Sequence, residues 1–276
     1  MEDVFGIPVR SQRGGHYCIN DLTDFSDSHL LNFGPYFSNV RMRDSLNPMK
    51  ILFEPSGEPH SSIFISYCVA KRQKHYAQTV QAITKSTEAF LDFDVFSKNA
   101  ARLMMVSNMN RRGPFQGLRL VRGAVHDPQA ILSRVWNAIG KSIVEMKSLL
   151  LDIDCQKRSR VLVETPDSVM SRIVFDLLKI FKQLLPLCLG VKTPGLIAAS
   201  KILFSAFPEI ALPVEKSQWK NLFQTVDYPN IIWSMKAEIV EWEKRSQKRL
   251  DYCDPVGSIT LPVFYDAALR ARLNEK

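Results

Sequence analysis

A regular spacing of apolar residues in the second half of the chain most restricts the possible fold. After Pro128, apolar side chains recur every three or four positions, at Ile131, Val135, Ile139, Ile143, Met146 and Leu150. This spacing matches the 3.6-residue turn of an α-helix and places these side chains on one face. Similar patterns predict further helices over residues 165–185, 195–207, 215–225, 229–250 and 262–273. These helices are predicted to pack around a core that includes Ile173, Leu177, Phe181, Ile202, Leu203, Phe207, Trp219, Phe223 and Ile232.

The first 75 residues differ in character from the rest of the chain. They are rich in glycine, proline, serine and asparagine, and turn signals flank short apolar runs. Such runs between turn residues predict short strands, here near residues 50–53 and 62–70. A helical pattern begins near His75. We therefore predict a mainly α fold, with a less regular N-terminal lobe over residues 1–75 that contains a few strands.

The helical domain is predicted to cover residues 76–276 and to contain one long irregular segment. Residues 108–127 carry three glycines and one proline and show no helical period. Such a composition favours a long loop or a connection between lobes.

The charge balance and the cysteines restrict the class of protein. The chain has 276 residues, with 36 basic against 28 acidic side chains and a formal charge of +8. A basic surplus of this size favours polyanionic partners. The five cysteines lie far apart, and no HExxH motif occurs, so neither a metal site nor another cofactor is expected. Glycine motifs that bind nucleotide phosphates or form a hydrolase elbow are absent as well.

Location is predicted from the same features. Scattered thiols and an N-terminus without an apolar run favour an intracellular protein, cytoplasmic or nuclear. The longest apolar stretch, Ile173 to Leu189, is interrupted by Asp176, Lys179 and Lys182. It therefore predicts an amphipathic helix, and no membrane partner is expected.

Residues 188–223 combine a glycine-containing turn, an apolar helix, a proline-bounded connection and a second helix. Gly195 directly precedes the apolar run Leu196–Phe207, which contains Ala198-Ala199, and Leu212-Pro213-Val214-Glu215 precede the second helix. This order resembles the helix-hairpin-helix family of DNA glycosylases. In that comparison Gly195 takes the place of the second glycine of the turn, and Ala198-Ala199 take the place of a Thr-Ala pair.

The resemblance implies a helical domain that contacts the backbone of nucleic acid, with DNA as the expected partner. A glycine turn lets backbone N–H groups approach a phosphate, and the dipole of the following helix favours the negative charge. The phosphate contacts implied here are Gly195, Lys192 and Lys201, with a basic strip formed by Lys216 and Lys220.

The catalytic positions of the family are altered in this chain. Glu215 stands where the family carries an aspartate that stabilises positive charge on the sugar or activates the nucleophile. Ile197 stands where members that form a Schiff base carry a lysine, and the family's four-cysteine cluster is absent. The domain is therefore expected to bind without catalysis, with Glu215 as the catalytic candidate if base excision persists.

Four arginines within residues 108–127 form a second candidate contact with nucleic acid. Arg111, Arg112, Arg119 and Arg122 are interleaved with glycines and Phe115. Guanidinium groups bind phosphates in a forked geometry, and an aromatic ring can stack on a base. The alternative is an ordinary solvated surface loop.

Other functions remain open from the sequence. The helices could form a generic bundle in which Glu215 is only a first-turn acid, complementing the helix dipole. The protein could instead be an interaction or scaffold subunit of a larger complex, with apolar residues such as Phe33, Tyr36 and Phe37 at the interface. A third alternative is a monofunctional base-excising enzyme that uses Glu215.

Overall fold

The computed structural model of the protein describes residues 51–70, 74–88, 91–189, 195–223, 227–254 and 259–274. In these ranges the chain is mainly helical and contains one two-stranded antiparallel sheet, which confirms the predicted fold class. All of them belong to a compact unit that runs from Leu46 to Lys276. None of the helices in the described ranges is both long and apolar enough to cross a membrane.

The first described segment is helical where a strand was predicted. Ile51 to Phe53 are buried, and Phe53 forms an antiparallel bridge with Pro59. Helix α1 then covers Ser62–Ala70, so the predicted strand over residues 62–70 is wrong. The run SIFISYCVA is apolar on all sides, and it buries Ile65 and Cys68, three positions apart, as a helix does.

The next two helices enclose the start of the core. Helix α2 covers Lys74–Ser86 and helix α3 covers Phe93–Val106. The carboxylate of Asp92 accepts a hydrogen bond of 2.8 Å from the backbone N–H of Val95, which caps the N-terminus of α3. Helices α2 and α3 pack against each other.

Residues 108–127 are ordered, unlike the predicted loop. Two 3₁₀ turns, Met109–Arg111 and Gly113–Phe115, are followed by strands β1 (Arg119–Val121) and β2 (Ala124–His126). The strands form a hairpin in which Val121 pairs with Ala124. Both residues of its turn are left-handed, with φ of 49° at Arg122 and 83° at Gly123. This matches the two-residue turn whose twist suits a tight hairpin.

The remaining helices follow the predicted order. They are α4 (Ile131–Leu151), α5 (Val161–Glu164), α6 (Asp167–Cys188), α7 (Gly195–Ala206), α8 (Lys216–Gln218), α9 (Tyr228–Ser246) and α10 (Leu261–Asn274). The short α8 continues as a π-helical turn over Trp219–Phe223, where a regular helix over residues 215–225 was predicted, and residues 224 and 225 lie outside the described ranges. The predicted core residues are buried, except for Phe223, which is partly exposed.

Helix α7 forms the centre of the fold. All of its residues are buried, and it packs mainly against α3 and α6. Its two serines satisfy their hydroxyl groups within the helix: Ser200 donates to the carbonyl of Ile197 and Ser205 to that of Ile202. Such a helix, covered on every side, is a core element and offers no surface to a partner.

Side chains from late helices bond to the first two described segments, residues 51–70 and 74–88. Glu238 of α9 accepts a hydrogen bond of 2.5 Å from the backbone N–H of Leu52. The indole of Trp242 donates to the carbonyl of His60 at 3.0 Å. The Tyr76 hydroxyl donates to Asp266 of α10 at 3.3 Å. These bonds join the beginning and the end of the described fold.

Candidate nucleic-acid interface

The structure places the four predicted arginines on one short, solvent-facing segment. Arg111, Arg112, Arg119 and Arg122 are all exposed, and together we call them the arginine surface. No aspartate or glutamate occurs between residues 108 and 126. None of the four forms an ion pair with another residue in the described ranges. Their positive charges are therefore available to an external anion.

The backbone beneath the arginine surface is held against the core. Phe115 and Leu118 are buried, and the hairpin packs on α3. The backbone N–H of Gly117 donates to the carbonyl of Asn110 at 2.9 Å, and the Asn110 amide donates to the carbonyl of Leu118 at 3.2 Å. The two 3₁₀ turns and the hairpin are thus tied together, and binding an anion would order little additional chain.

Burial of Phe115 overturns one part of the sequence interpretation. Only 1% of this residue is exposed, because its ring packs in the hydrophobic core. A base cannot stack on a ring that solvent does not reach. The arginine surface therefore offers charge and hydrogen-bond donors, and its aromatic residue is an anchor for the segment.

The glycine of the hairpin-like element has a packing role. Gly195 is the first residue of α7 and is buried. A Cβ atom at this position would lie 2.9 Å from the carbonyl oxygen of Leu185 in α6. The missing side chain therefore allows α7 to approach α6 closely. This geometry argues against Gly195 as a turn that is open to phosphate.

The lysines predicted around this element are in different environments. Lys201 is completely buried, so its ammonium group is inaccessible to a phosphate. Lys216 is exposed at the start of α8. The backbone of Lys220 lies in the π-helical turn, although its side chain is not described, and Lys192 lies outside the described residues. Of the predicted basic strip, Lys216 is the cation shown at the surface.

Glu215, the catalytic candidate, is engaged in an ion-pair cluster. Its Oε1 atom lies 2.5 Å from Nζ of Lys201 and 3.4 Å from Nη2 of Arg270. Its backbone N–H donates to the side chain of Gln218 at 2.7 Å, which fixes the start of α8. Two cations thus compete with any substrate for this carboxylate. The arrangement is that of a structural ion pair at a helix start.

The cluster continues into the core through Asp266. This fully buried carboxylate accepts hydrogen bonds from Gln218 at 3.1 Å and from Nε of Arg270 at 3.2 Å. Burial by itself would lower the pKa of Arg270, but the negative charges of Asp266 and Glu215 raise it above its usual value. Arg270 therefore stays charged and links the two carboxylates.

A second buried ion pair was missed from the sequence. Lys147 of α4 lies 2.8 Å from Glu209, and both residues are almost fully buried. Burial lowers the pKa of Lys147, while the charge of Glu209 partly opposes this effect. The signal was present in the sequence, because Lys147 follows Ile143 by four positions on the apolar face of α4. A charge on such a face requires a partner.

This ion pair borders a cavity with a volume of about 260 Å³. Most of its lining residues are polar or charged, and they come from α2 and the residues that follow it, the end of α4, the segment before α5, and the connections before α8 and α10. Arg158 also lines the cavity and donates from Nη2 to Glu209 at 2.6 Å. Charged and hydroxyl groups therefore converge on one partly open cavity.

No group of three or more His, Cys, Asp or Glu side chains in the described ranges is arranged to hold a metal ion. Comparison of the chain with the models of known protein families, with curated proteins and with solved structures found no match in any of the three.

Proposed function

We propose that the protein binds nucleic acid, with DNA as the expected class, through the arginine surface and without catalysing a reaction. The observation that supports this proposal is the set of four exposed arginines without an acidic partner in the described ranges. Guanidinium groups match phosphate oxygens in a forked, charge-assisted geometry. The ordered backbone beneath them reduces the entropy lost on binding.

The proposed contact with nucleic acid lies on the arginine surface and not on the hairpin-like element of residues 188–223. Lys201 is buried and Gly195 packs against α6, so of the predicted contacts in this element Lys216 is the exposed one that the structure describes. The interaction is expected to depend on phosphates more than on base sequence, because the phenyl ring of this segment, Phe115, is buried and cannot stack on a base.

The strength of the salt dependence follows from the number of arginines. If each of the four contacts one phosphate of duplex DNA, the slope of log K against log salt is about −3.6. Affinity should then fall about 150-fold between 50 and 200 mM salt. Fluorescence polarisation with labelled duplex DNA, single-stranded DNA and duplex RNA measures this slope and compares the three classes.

A variant with all four arginines of the arginine surface changed to glutamine should lose most of this slope. The matched control removes the same net charge from exposed positions elsewhere, through Lys85→Gln, Lys141→Gln, Arg172→Gln and Lys244→Gln. The control should retain the wild-type slope, and both variants should keep the wild-type circular dichroism spectrum. Absence of binding by the folded wild type at 50 mM salt, or equal loss in both variants, would refute the proposal.

An exposed apolar surface favours the alternative of an interaction subunit. Ile63 and Tyr67 lie one turn apart on α1 and are 80% and 56% exposed. Tyr252, which is 68% exposed, lies in the 3₁₀ turn that contacts α1. Exposed apolar groups of this kind are typical of protein interfaces. Ile63→Asp should weaken a protein complex of this kind, measured by light scattering, and leave DNA binding unchanged.

The third alternative is base excision through Glu215, and an assay for release of a free base from duplex DNA tests it. Base release by the wild type that is lost in Glu215→Gln would support this alternative. The contacts of Glu215 with Lys201 and Arg270 instead favour a structural role for this carboxylate.

A further inference from the structure

We propose that the cavity beside the Lys147–Glu209 ion pair binds a phosphate monoester group. Its lining includes Thr84, Glu88, Lys147, Lys157, Arg158 and Glu209. This site is separate from the proposed function, because none of its lining residues belongs to the arginine surface.

The charges of the lining favour an anion. Three lining residues are cationic (Lys147, Lys157 and Arg158), and two are anionic (Glu88 and Glu209). One positive charge therefore remains without an opposite charge within the lining. Glu209 engages both Lys147 and Arg158 through the same oxygen, Oε1, at 2.8 and 2.6 Å. It cannot neutralise both cations fully.

The cationic side chains of the lining retain hydrogen-bond donors without a partner in the described ranges. An ammonium group has three donors and a guanidinium group has five. Arg158 uses its Nη atoms on Glu209 and on the carbonyl of Leu150, whereas its buried Nε has no partner in the described ranges. A ligand rich in acceptor oxygens suits such a lining, and phosphate supplies them.

The volume limits the size of the ligand. About 260 Å³ is at the low end for small-molecule pockets. It accommodates a phosphate group with a small attached fragment, but not a long segment of nucleic acid. Two sources carry this group: a free small phosphate ester and the terminal phosphate of a nucleic-acid strand.

The distance along α4 separates the cavity from the arginine surface. The hairpin directly precedes α4, and the Asp127 carboxylate bonds to the N–H of Leu132 at 2.7 Å at the start of that helix. Lys147 lies near the opposite end, about 24 Å away at 1.5 Å per residue. Changes at one site can therefore be tested without altering the other.

The experiment is calorimetric titration of the full chain with inorganic phosphate and with phenyl phosphate, at constant ionic strength. Thr84→Glu introduces a carboxylate into the cavity from α2, where glutamate is a good helix former. It should weaken phosphate binding at least about tenfold. Gln78→Glu is the control, because it adds the same charge to an exposed position of α2 that does not line the cavity.

A second variant avoids any change in the buried residues. Lys157 is exposed at the cavity, and Lys157→Gln should weaken phosphate binding about fivefold. The variant without the four arginines of the arginine surface should bind phosphate as the wild type does, even if DNA binding is lost. The proposal is refuted if the wild type shows no saturable phosphate binding, or if Thr84→Glu and Gln78→Glu bind equally well.

The source of the phosphate is distinguished with short oligonucleotides. Trinucleotides with a 5′-phosphate or a 5′-hydroxyl differ only in the terminal group. Tighter binding of the 5′-phosphorylated form than of phenyl phosphate, with loss in Thr84→Glu, would support a nucleic-acid end. Tighter binding of phenyl phosphate would support a free phosphate ester.

Discussion

Removal of either partner of the Lys201–Glu215 ion pair should have very different consequences. Lys201 has no exposed surface, and its ammonium group has one described hydrogen bond, to Glu215. The Glu215 side chain is 32% exposed and also contacts Arg270. Glu215→Ala therefore leaves a buried ammonium ion without its partner. Lys201→Met leaves a carboxylate that keeps Arg270 and water.

The magnitudes follow from this asymmetry. Loss of one partner from a buried pair lowers the free energy of unfolding by about 3–5 kcal/mol, which is the expectation for Glu215→Ala. Lys201→Met removes the buried charge itself, and the Glu215 carboxylate that remains is partly exposed and keeps Arg270, so this variant should change stability by no more than about 1 kcal/mol. The double variant should be more stable than Glu215→Ala alone, because it contains no unpaired buried charge.

Urea unfolding at neutral pH, extrapolated linearly to water, measures all three variants. Glu145→Ala is a control, because Glu145 forms an exposed ion pair with Lys141 at 3.8 Å, which should contribute little. Equal losses in Glu215→Ala and Lys201→Met, or additive losses in the double variant, would refute the reasoning. An unchanged stability of Glu215→Ala would remove the structural role and favour a functional one.

Two further predictions concern other buried positions. Burial raises the pKa of Glu238 to about 7 from a usual 4.5, so its contribution to stability is complete below pH 4.5 and is lost as the pH rises through 7. The loss is about 3 kcal/mol, and urea unfolding at several pH values should show a flatter profile for Glu238→Gln; an unchanged profile would contradict the pKa shift. Gly195→Ala should lower the free energy of unfolding by about 1–3 kcal/mol, because its Cβ would lie 2.9 Å from the carbonyl of Leu185. A thermal melt that matches the wild type would show that α6 and α7 can separate at low cost.

Helices in which the apolar spacing repeats over many turns could be predicted from the sequence. The secondary structure of short apolar runs could not. The pattern that begins at Ile131 predicts α4 because many turns repeat the same spacing. The nine residues of α1 are nearly all apolar, so strand and helix periods fit them equally well. As a helix, α1 packs against α10 and against the turn at residues 250–253. These partners lie almost 200 positions further along the chain, so the local sequence does not reveal them.

The exposure of a candidate site residue could be predicted where it followed from the local sequence. The four arginines are exposed because a segment without acids or a regular apolar period keeps its charges in solvent. Phe115 and Lys201 were assigned to a surface because of their neighbours and residue type. Both are buried by distant parts of the chain, and the partner of Lys201 is 14 positions further on. The burial of Phe115 has no local signal, whereas Lys201 stands within an apolar run, as Lys147 does on the apolar face of α4.

The hydrogen bonds between early and late segments affect how the chain folds. The hydrogen bond from the backbone N–H of Leu52 to Glu238 closes a loop of 186 residues. The hydrogen bond from the Trp242 indole to the His60 carbonyl closes one of 182. Closing a loop of this length costs about 4.6 kcal/mol of chain entropy from its length alone. Contacts between such distant positions form slowly, and they cannot form on the ribosome until α9 has emerged. During synthesis, Ile51 to Phe53 therefore stay exposed until α9 is available to pack against them. The contacts between the early and late segments are then among the last to form.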